Sequence, residues 1–591
     1  MNEIASRWLA NPLWEQSFDE SDRLVVESLV RRITVSDVEL QLSNGEDSFL
    51  LALLLLARAT RLEHVALTLD ANALLSHLHE LNQDAERHGD AVRRAFEQRP
   101  HPLAALVEWI ELDEPVFPSG PAVVVATAMG VPAYAYFRRL AYAEWRLTSA
   151  LVESQNEVMH DPTGLFDAAA RSLSESSGRD VARRMAQHRI SVVTGGPGTG
   201  KTTTVSTVLH ALAEEARTRG LTLSVALAAP TAKAAVRLRE AVSKSLNVTG
   251  ESPLNFDVRG GSLHRLLGLR PDRAVSDQPL EHDLIVVDEV SMSELTMLDQ
   301  LLSRASSRTR VVLVGDAHQL ASVNVGAALR DIVEAADAGA LGDLVTRLTH
   351  NWRSESAIAQ LAAALNAGDI AAVAAVTAAN GDRVQIAASR DVAEIVAVEH
   401  ALALRESAVR GDAASAIGAL SEFVVLAATR RGDGSVQWWN NRLEPQLRRL
   451  DESGGRFALG APVLITRNEH GDASDALANG DLGVQISDGA PVVVFSGPTG
   501  PRRRLSEQLG EAEVAWAMTI HKSQGSEYDE VIVSLPSHDV AILTRELLYT
   551  AVTRARHRVS ILATLETIER VLARRIERVS GLAARAAAQQ R

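Results

Sequence analysis

The run Gly195-Gly-Pro-Gly-Thr-Gly-Lys201-Thr202 has the composition and spacing of a P-loop. Its glycines allow several backbone N–H groups to converge on a phosphate chain at the start of a helix. The lysine then reaches the β- and γ-phosphates, and the threonine hydroxyl ligates Mg²⁺. An apolar strand pattern precedes the run and a helical pattern follows it, so the run predicts a site for ATP and Mg²⁺. The predicted nucleotide contacts are Gly195, Gly196, Gly198, Thr199, Gly200, Lys201, Thr202 and Thr203.

A second apolar run, LIVVDE, delivers Asp288 and Glu289 to the end of a predicted strand. Asp288 is expected to hold Mg²⁺ with the P-loop threonine, and Glu289 to polarise the attacking water, which favours hydrolysis over phosphoryl transfer to a small substrate. Gln319, just beyond the run VVLVGD, is suited to sensing the γ-phosphate. Arg353 in HNWRSESAI and Arg554 in YTAVTRAR are predicted to act as arginine fingers from a second unit across the cleft.

Lysine is scarce in this chain, since Lys+Arg totals 60 and the lysines are Lys201, Lys233, Lys244 and Lys522. Three of them lie in runs that suit phosphate or nucleic acid, namely GGPGTGKTT, APTAKAA and HKSQGSE, whereas Lys244 has no motif around it. Arginine supplies surface charge almost anywhere but cannot replace a compact ammonium packed against a phosphate. These three lysines therefore indicate contacts to a nucleotide or to nucleic acid.

From about residue 151 onward, short apolar strands that end in polar residues alternate with helical patterns. Such alternation predicts an α/β fold with parallel sheets covered on both faces and with ligands at the carboxyl ends of the strands. The segment 455–513, rich in Gly, Pro and Asp, instead predicts a small β barrel inserted into the second α/β unit. Residues 1–150 are net acidic, lack lysine and show no catalytic constellation, which predicts a packing or docking domain. The final AARAAAQQR predicts a frayed tail.

Composition limits the class of protein further. A chain of 591 residues should hold roughly three or four domains. It has no cysteine, which excludes disulfides, cysteine–zinc sites and iron–sulfur clusters. The net charge of −15 argues against a nonspecific nucleic-acid coat but is compatible with a local basic channel. The longest apolar run, 49–56, is far short of the roughly 20 residues of a membrane span, and no leader opens the chain, so a soluble cytoplasmic protein without a membrane partner is expected.

An ordered series of runs extends from about residue 190 onward: GGPGTGKTTT, LAAPTAKAA, GSLHRLLG, VVDEVSM, VGDAHQLASV, HNWRSESAI, APVLITRN with NGDLG, MTIHKSQGSEYD and LLYTAVTRAR. The series resembles the superfamily 1 helicases of the 5′-to-3′ branch. Within them it is most similar to the RecD-type alpha subunits of RecBCD complexes (exodeoxyribonuclease V). The runs HKSQGSE and YTAVTRAR are highly specific to that branch.

This resemblance implies two RecA-like P-loop motor domains, an SH3-like β insertion in the second, and a mostly helical N-terminal domain that docks on partners. The implied boundaries are 1–150 for the docking domain, 151–342 for the first motor domain with a pin insertion at about 243–261, 343–454 and 514–575 for the second motor domain, 455–513 for the β insertion, and 576–591 for the tail.

The resemblance also implies a ribose contact and a DNA track. The ribose contact is Glu527, and the implied DNA contacts are Thr231, Lys233, His264, Asn479, Thr519, His521 and Lys522. Hydroxyls and imidazoles suit phosphate oxygens, although His264 taken alone is nearly as well explained as a core histidine. Helicases of this type usually carry an adenine-reading glutamine before the P-loop. Here Gly178 stands at that position and Gln187 is out of place, which leaves the choice between ATP and other nucleotides open.

The resulting hypothesis is an ATP-dependent 5′-to-3′ DNA helicase and translocase that acts on single-stranded DNA and duplex ends in double-strand-break repair and recombination. It would work in a heterotrimer with RecB-like and RecC-like subunits. None of the lysines follows an acid by two residues, as a D…ExK nuclease requires, so no intrinsic nuclease is expected. Two alternatives stay open. The ATPase could be a switch that regulates a partner's nuclease or recombinase loading without separating strands, or the chain could be a self-sufficient helicase.

Overall fold

The computed structural model describes residues 18–31, 46–70, 106–161, 163–246, 254–256, 261–269, 278–321, 325–350, 357–387, 389–451, 454–467, 469, 477–497 and 500–591. Four sheets organise these residues: one in the N-terminal domain, one in each motor domain and one in the β insertion. Within these ranges no helix combines the length and the apolar character needed to cross a lipid bilayer.

The N-terminal domain is a mixed α/β unit in its described part. Its elements are α1 (Glu20–Arg31), α2 (Glu46–Arg61), β1 (Leu67–Thr68), β2 (Val107–Glu111), β3 (Val123–Ala128), β4 (Val131–Phe137) and α3 (Arg138–Asn156). The strand order is β1-β4-β3-β2. Strand β3 is rich in β-branched residues and buried on both faces, which suits a central strand. Helices hold more of the described residues of this domain than the strands do, so a mostly helical docking domain stays a prediction. Helix α3 runs across the predicted boundary at 150.

The first motor domain is built on a parallel sheet with the strand order β11-β5-β10-β9-β6-β7, and β8 also pairs with β6. Its strands are β5 (Ile190–Gly195), β6 (Leu223–Ala229), β7 (Leu254–Phe256), β8 (Gly261–Ser262), β9 (Leu284–Val287), β10 (Arg310–Gly315) and β11 (Val345–Leu348). Its helices are α4 (Leu165–Ser172), α5 (Ser176–Gln187), α6 (Lys201–Arg219), α7 (Ala232–Leu246), α8 (Leu263–Leu266), α9 (Leu295–Arg304) and α10 (Ala328–Asp337). Since β11 pairs with β5, this sheet extends past the predicted boundary at 342.

The predicted pin at 243–261 coincides with the end of α7 and with β7, which pairs in parallel with β6 at the edge of the sheet. The residues between α7 and β7 lie outside the described ranges. A projecting pin therefore stays a prediction.

The second motor domain and its insertion supply the remaining strands. These are β12 (Val384–Ala387), β13 (Phe423–Ala427), β14 (Pro462–Ile465), β15 (Leu482–Asp488), β16 (Ala490–Phe495), β17 (Arg502–Leu505), β18 (Ala512–Val514), β19 (Ala517–Thr519), β20 (Tyr528–Ser534) and β21 (Ala555–Leu562). The motor sheet is parallel in the order β12-β21-β20-β13-β19. The insertion is antiparallel in the order β17-β16-β15-β14-β18. A small five-stranded β unit thus interrupts the second motor domain, and its SH3-like character stays a prediction.

Helices cover the second sheet and lead to the C-terminus. They are α11 (Ala357–Ala367), α12 (Ile370–Ala379), α13 (Arg390–Val409), α14 (Ala413–Ala419), α15 (Val436–Arg448), α16 (Arg545–Val552), α17 (Leu565–Ala573) and α18 (Leu582–Gln589). The last helix, α18, packs against α3 and α10. Its Arg585 is fully buried and donates from Nε to Glu144 Oε1 at 3.2 Å. The expectation that the final AARAAAQQR frays is therefore wrong, because α18 buries an apolar edge and an ion-paired arginine between the N-terminal and first motor domains.

Candidate nucleotide and DNA site

The P-loop joins the end of β5 to the start of α6, as predicted. Gly198 and Gly200 have φ angles of 74° and 78°, a left-handed conformation that favours glycine. A Cβ on Gly195 would lie 2.7 Å from the carbonyl oxygen of Leu348, so the base of the loop packs directly against β11. Strand, loop and helix therefore form a cradle of the kind in which backbone N–H groups and a helix N-terminus bind phosphate.

Lys201 is the first residue of α6 and lies against the loop. Its Nζ donates to the carbonyl oxygens of Gly195 at 2.7 Å and Gly196 at 2.9 Å. The Thr199 hydroxyl donates to the Gly196 carbonyl at 2.9 Å. These bonds keep the ammonium beside the positive end of the helix, where a phosphate chain is favoured.

Asp288 and Glu289 follow β9 and face the P-loop. Thr202 Oγ1 donates to Asp288 Oδ2 at 3.1 Å, and the Glu289 N–H donates to Asp288 Oδ1 at 2.8 Å. Burial, and then the neighbouring charge of Glu289, raise the pKa of Asp288 to about 6. The hydroxyl and the carboxylate are oxygen ligands that fit Mg²⁺, which takes few protein ligands and keeps several waters. Mg²⁺ held by this pair would complete its coordination with water and phosphate oxygens.

Glu289 also has an unusual backbone. Its φ of 54° lies in the left-handed region, which costs a non-glycine residue about 1–3 kcal/mol. Such strain persists where the surrounding structure holds it in place, and it is frequent at functional sites. The conformation is consistent with a side chain whose direction matters for the reaction.

A cleft of about 630 Å³ lies between the two motor domains at this edge of the sheets. This is the size of a small-molecule site. One wall comes from the first motor domain and the other from the second. The predicted residues that line the cleft are Gly198, Gly200, Lys201, Thr202, Thr203, Asp288, Glu289, Gln319, Glu527 and Arg554. The structure thus brings together residues that the sequence places more than 350 positions apart.

Gln319 and Arg554 face the cleft from opposite walls. Gln319 is 8% exposed, and its Nε2 donates to Asp316 Oδ2 at 3.2 Å. Arg554 is 4% exposed, and backbone carbonyls hold its guanidinium: Nε donates to Thr550 O at 3.1 Å and Nη1 to Ser526 O at 3.2 Å. A guanidinium fixed on the far wall has the placement that an arginine finger needs. Arg353 lies outside the described residues, and its role stays a prediction.

Two charged residues that the sequence did not single out also line the cleft, Glu175 and Arg237. Glu175 immediately precedes α5, and one of its oxygens accepts from Ser177 Oγ at 2.7 Å. Arg237 lies four residues after Lys233 on α7, a spacing that could have revealed it because i and i+4 share a helix face. Gln187 ends α5, and so the glutamine is at the opposite end of that helix from the cleft.

The predicted DNA contacts of the first motor domain lie at the start of α7 and on α8. Thr231 Oγ1 accepts from the Ala234 N–H at 3.2 Å and caps α7. Burial, followed by the charge of Arg237, lowers the pKa of Lys233 to about 8. The His264 side chain is exposed, so the alternative of a core histidine is wrong.

Most of the second motor domain's predicted contacts lie around the turn that follows β19. Thr519 Oγ1 accepts from the Lys522 N–H at 3.3 Å. Burial lowers the pKa of His521 below its usual value. Asn479 is exposed in the turn before β15. A Cβ on Gly525 would lie 3.7 Å from Thr231 Oγ1, so this turn packs directly on the start of α7.

The chain matches the AAA domain over residues 175–389 and the UvrD-like helicase C-terminal domain over residues 514–562. It is 41% identical over 420 residues to the RecBCD enzyme subunit RecD of Mycolicibacterium smegmatis, covering 68% of this chain and 74% of that protein. It is 30% identical over 455 residues to the RecBCD enzyme subunit RecD of Haemophilus influenzae, covering 66% and 69%. To the ATP-dependent RecD2 DNA helicase of Deinococcus radiodurans it is 33% identical over 401 residues, covering 66% and 49%.

Solved structures of Pif1 helicases are similar at lower identity. The Bacteroides Pif1 helicase in complex with ADP-AlF3 and single-stranded DNA matches with 17% identity and a TM-score of 0.37, covering 67% of this chain and 94% of that chain. The Pif1 helicase from Candida albicans matches with 16% identity and a TM-score of 0.34, covering 69% and 97%.

Proposed function

The chain belongs to the RecD family of RecBCD subunits, and we propose that it is an ATP-dependent DNA helicase that moves 5′-to-3′ along single-stranded DNA. Its partners in this proposal are RecB-like and RecC-like subunits, and its substrates are duplex ends in double-strand-break repair and recombination. One observation carries the proposal: the nucleotide cleft has Lys201 and Glu289 on one wall and Arg554 on the other. ATP hydrolysis then requires both walls of the cleft to contact the nucleotide. Cycles of ATP binding and hydrolysis can therefore drive motion between the two motor domains.

Each residue of the cleft has a defined role in the proposed reaction. Lys201 and the P-loop N–H groups bind the β- and γ-phosphates. Thr202 and Asp288 would hold Mg²⁺, and this ion would supply positive charge to the phosphate oxygens. Glu289 accepts a proton from the attacking water as the bond between the γ-phosphorus and the bridging oxygen breaks. Arg554 stabilises the transition-state charge when the walls close.

The same movement would act on DNA. Lys233 and its neighbours belong to the first motor domain, whereas Thr519, His521 and Lys522 belong to the second. Opening and closing the cleft would change the distance between these two groups. The protein would then move along a DNA strand that both groups hold. The 5′-to-3′ direction rests on the runs HKSQGSE and YTAVTRAR rather than on geometry. We place any nuclease activity of the complex in a partner subunit.

An ATPase switch that does not separate strands is the second candidate, and the C-terminal segment favours it. Arg578 pairs with Glu63 of the N-terminal domain and donates from Nη1 to the Gly326 carbonyl at 2.8 Å. Gly326 lies seven residues after Gln319, and its N–H donates to the Glu63 carbonyl at 2.8 Å. The N-terminal domain and the C-terminal segment therefore both bond to a residue that follows the predicted γ-phosphate sensor closely in the sequence.

Unwinding assays on the reconstituted complex separate these candidates. A helicase should unwind a duplex with a 5′ single-stranded tail, and Lys201→Ala in this chain should abolish that activity while 3′-tail unwinding by a partner continues. A switch should hydrolyse ATP on single-stranded DNA without 5′-tail unwinding, and Lys201→Ala should alter only the partner's nuclease. Unwinding of 5′ tails by the isolated chain would identify a self-sufficient helicase, and unwinding of 3′ tails alone by the isolated chain would contradict the direction.

A further inference from the structure

The carboxylate of Asp316 connects the two motor domains at the nucleotide cleft. Asp316 is 1% exposed, and its Oδ2 accepts two side-chain hydrogen bonds. One comes from Gln319 Nε2 at 3.2 Å, within the first motor domain. The other comes from the Tyr549 hydroxyl at 3.0 Å, in the second. A single oxygen atom therefore joins the predicted γ-phosphate sensor to a residue of the opposite domain.

The surroundings of Tyr549 favour its role as the hydrogen-bond donor. Burial, and then the charge of Asp316, raise the pKa of Tyr549 well above its usual value, so the phenol stays protonated. The ring is 4% exposed. A Cβ on Gly196 would lie 3.4 Å from the tyrosine hydroxyl, which places that hydroxyl against the P-loop.

Two further hydrogen bonds hold the same segment. The Leu320 N–H donates to Thr550 Oγ1 at 2.8 Å, and Gln524 Nε2 donates to the Leu320 carbonyl at 3.0 Å. Tyr549 and Thr550 are adjacent on α16, and Arg554 follows two residues after that helix ends. One helix thus both holds the segment 316–320 and leads into the arginine that faces the cleft.

We propose that Tyr549 is a positioning residue for ATP hydrolysis: through Asp316 it holds the Gln319 amide in place when α16 docks on the first motor domain. Docking then delivers Arg554 and orders Gln319 in one event, because both depend on the same helix. The link rests on the proposed role of Gln319 in the nucleotide site. Without the tyrosine hydroxyl, Asp316 keeps its bonds from Gln319 Nε2 and the His318 N–H within its own domain and loses the one from the second motor domain. The Gln319 amide can then rotate away from the γ-phosphate.

The test is Tyr549→Phe in the full chain, which deletes one hydroxyl and keeps the buried ring. We expect kcat for hydrolysis stimulated by single-stranded DNA to fall about tenfold while the KM for ATP changes less than about twofold, as for an interaction made mainly in the transition state. Tyr528→Phe is the matched control. Tyr528 is also a buried tyrosine of the second motor domain. Its hydroxyl bonds within that domain, to the Met518 sulfur at 3.7 Å and to the Ser526 side chain. The control should keep wild-type kcat.

A double-mutant cycle shows whether Tyr549 acts through Gln319. In a Gln319→Ala background, Tyr549→Phe should lower kcat no further, because the group that it positions is gone. Thr550→Val, which removes the acceptor for Leu320 N–H, should give the same split between kcat and KM and serves as a second variant if Tyr549→Phe unfolds. Additive effects in the cycle would overturn the proposed link between Tyr549 and Gln319 but not the role of Gln319. The same holds if Tyr549→Phe keeps the wild-type kcat while Gln319→Ala is impaired. Normal hydrolysis in Gln319→Ala would overturn the proposed role of Gln319 and the link with it.

Discussion

Lys522 and Glu513 form an ion pair, with 2.5 Å between Nζ and Oε1, that joins a turn predicted to contact DNA to the last strand of the β insertion. Burial and then Arg237 lower the pKa of Lys233 in the first motor domain, and the charge of Asp481 in the insertion partly offsets this decrease. Asp481 in turn accepts from Arg502 Nη2 at 3.0 Å. The β insertion thus places a carboxylate near each of two lysines that are predicted to contact DNA.

Glu513→Gln is expected to tighten binding of single-stranded DNA about two- to fivefold at low salt, because a phosphate no longer competes with the carboxylate for Lys522. Fluorescence anisotropy of a labelled oligonucleotide at two salt concentrations measures it. Asp488→Asn is the control: it removes the same charge from the same insertion, where Asp488 pairs with Arg503 at 3.1 Å. Equal tightening in both variants would assign the effect to net charge rather than to the Lys522 pair.

Binding of single-stranded DNA should weaken as pH rises from 7 to 9. The pKa of Lys233 is lowered to about 8 by burial and Arg237, against Asp481, so the ammonium is lost as pH passes through that value. Burial lowers the pKa of His521, which leaves this imidazole neutral across the window. Lys233→Arg should flatten the profile because a guanidinium stays charged. A variant that retains the wild-type slope would show that another group titrates.

Lys201→Ala should lower the rate of ATP hydrolysis at least about 10²- to 10³-fold, because it removes the cationic side chain from the first turn of α6. Steady-state ATPase assays with single-stranded DNA measure the loss. Lys244→Ala serves as the control because that lysine is exposed near the end of α7. If Lys201→Ala retains more than about a tenth of wild-type turnover, the assignment of the nucleotide site to this loop is wrong.

Arg554→Ala should lower kcat about 10³-fold and leave nucleotide affinity nearly unchanged, because the guanidinium acts on the transition state from the far wall of the cleft. Binding of a fluorescent ATP analogue and single-turnover hydrolysis report the two quantities separately. Arg558→Ala provides the control, since Arg558 is exposed and pairs with Glu530 at 3.2 Å. Weak binding with normal hydrolysis would refute the role.

Arg585→Ala should detach α18. It leaves Glu144, which is 0% exposed, without its cation, and breaking such a pair costs about 3–5 kcal/mol. Hydrogen exchange should then show lost protection across Leu582–Gln589, with a lower thermal midpoint. Arg570→Ala, an exposed change on α17, should do neither. Unchanged protection of α18 in Arg585→Ala would mean that its apolar edge alone holds it.

The sequence by itself determined the parts of the site that are local. The P-loop and the acidic pair each follow directly after a strand. A stretch of about ten residues therefore contains both the functional side chains and the strand that positions them. Their carboxyl-end placement follows from the parallel sheet. Hydrophobic runs likewise predicted β5, β9 and β10, because strands buried on both faces are continuously apolar.

Only the tertiary structure decided which distant residues meet. Tyr549 and Asp316 are 233 positions apart, and Arg585 and Glu144 are 441 positions apart. Periodicity reports which side of an element is apolar but not which other element covers it. The alanine-rich end of the chain therefore predicted a frayed tail, whereas a buried glutamate on α3 makes its arginine a core residue. The link from Gln319 to the second motor domain is of the same kind, since a side-chain hydrogen bond between domains leaves no pattern in either run.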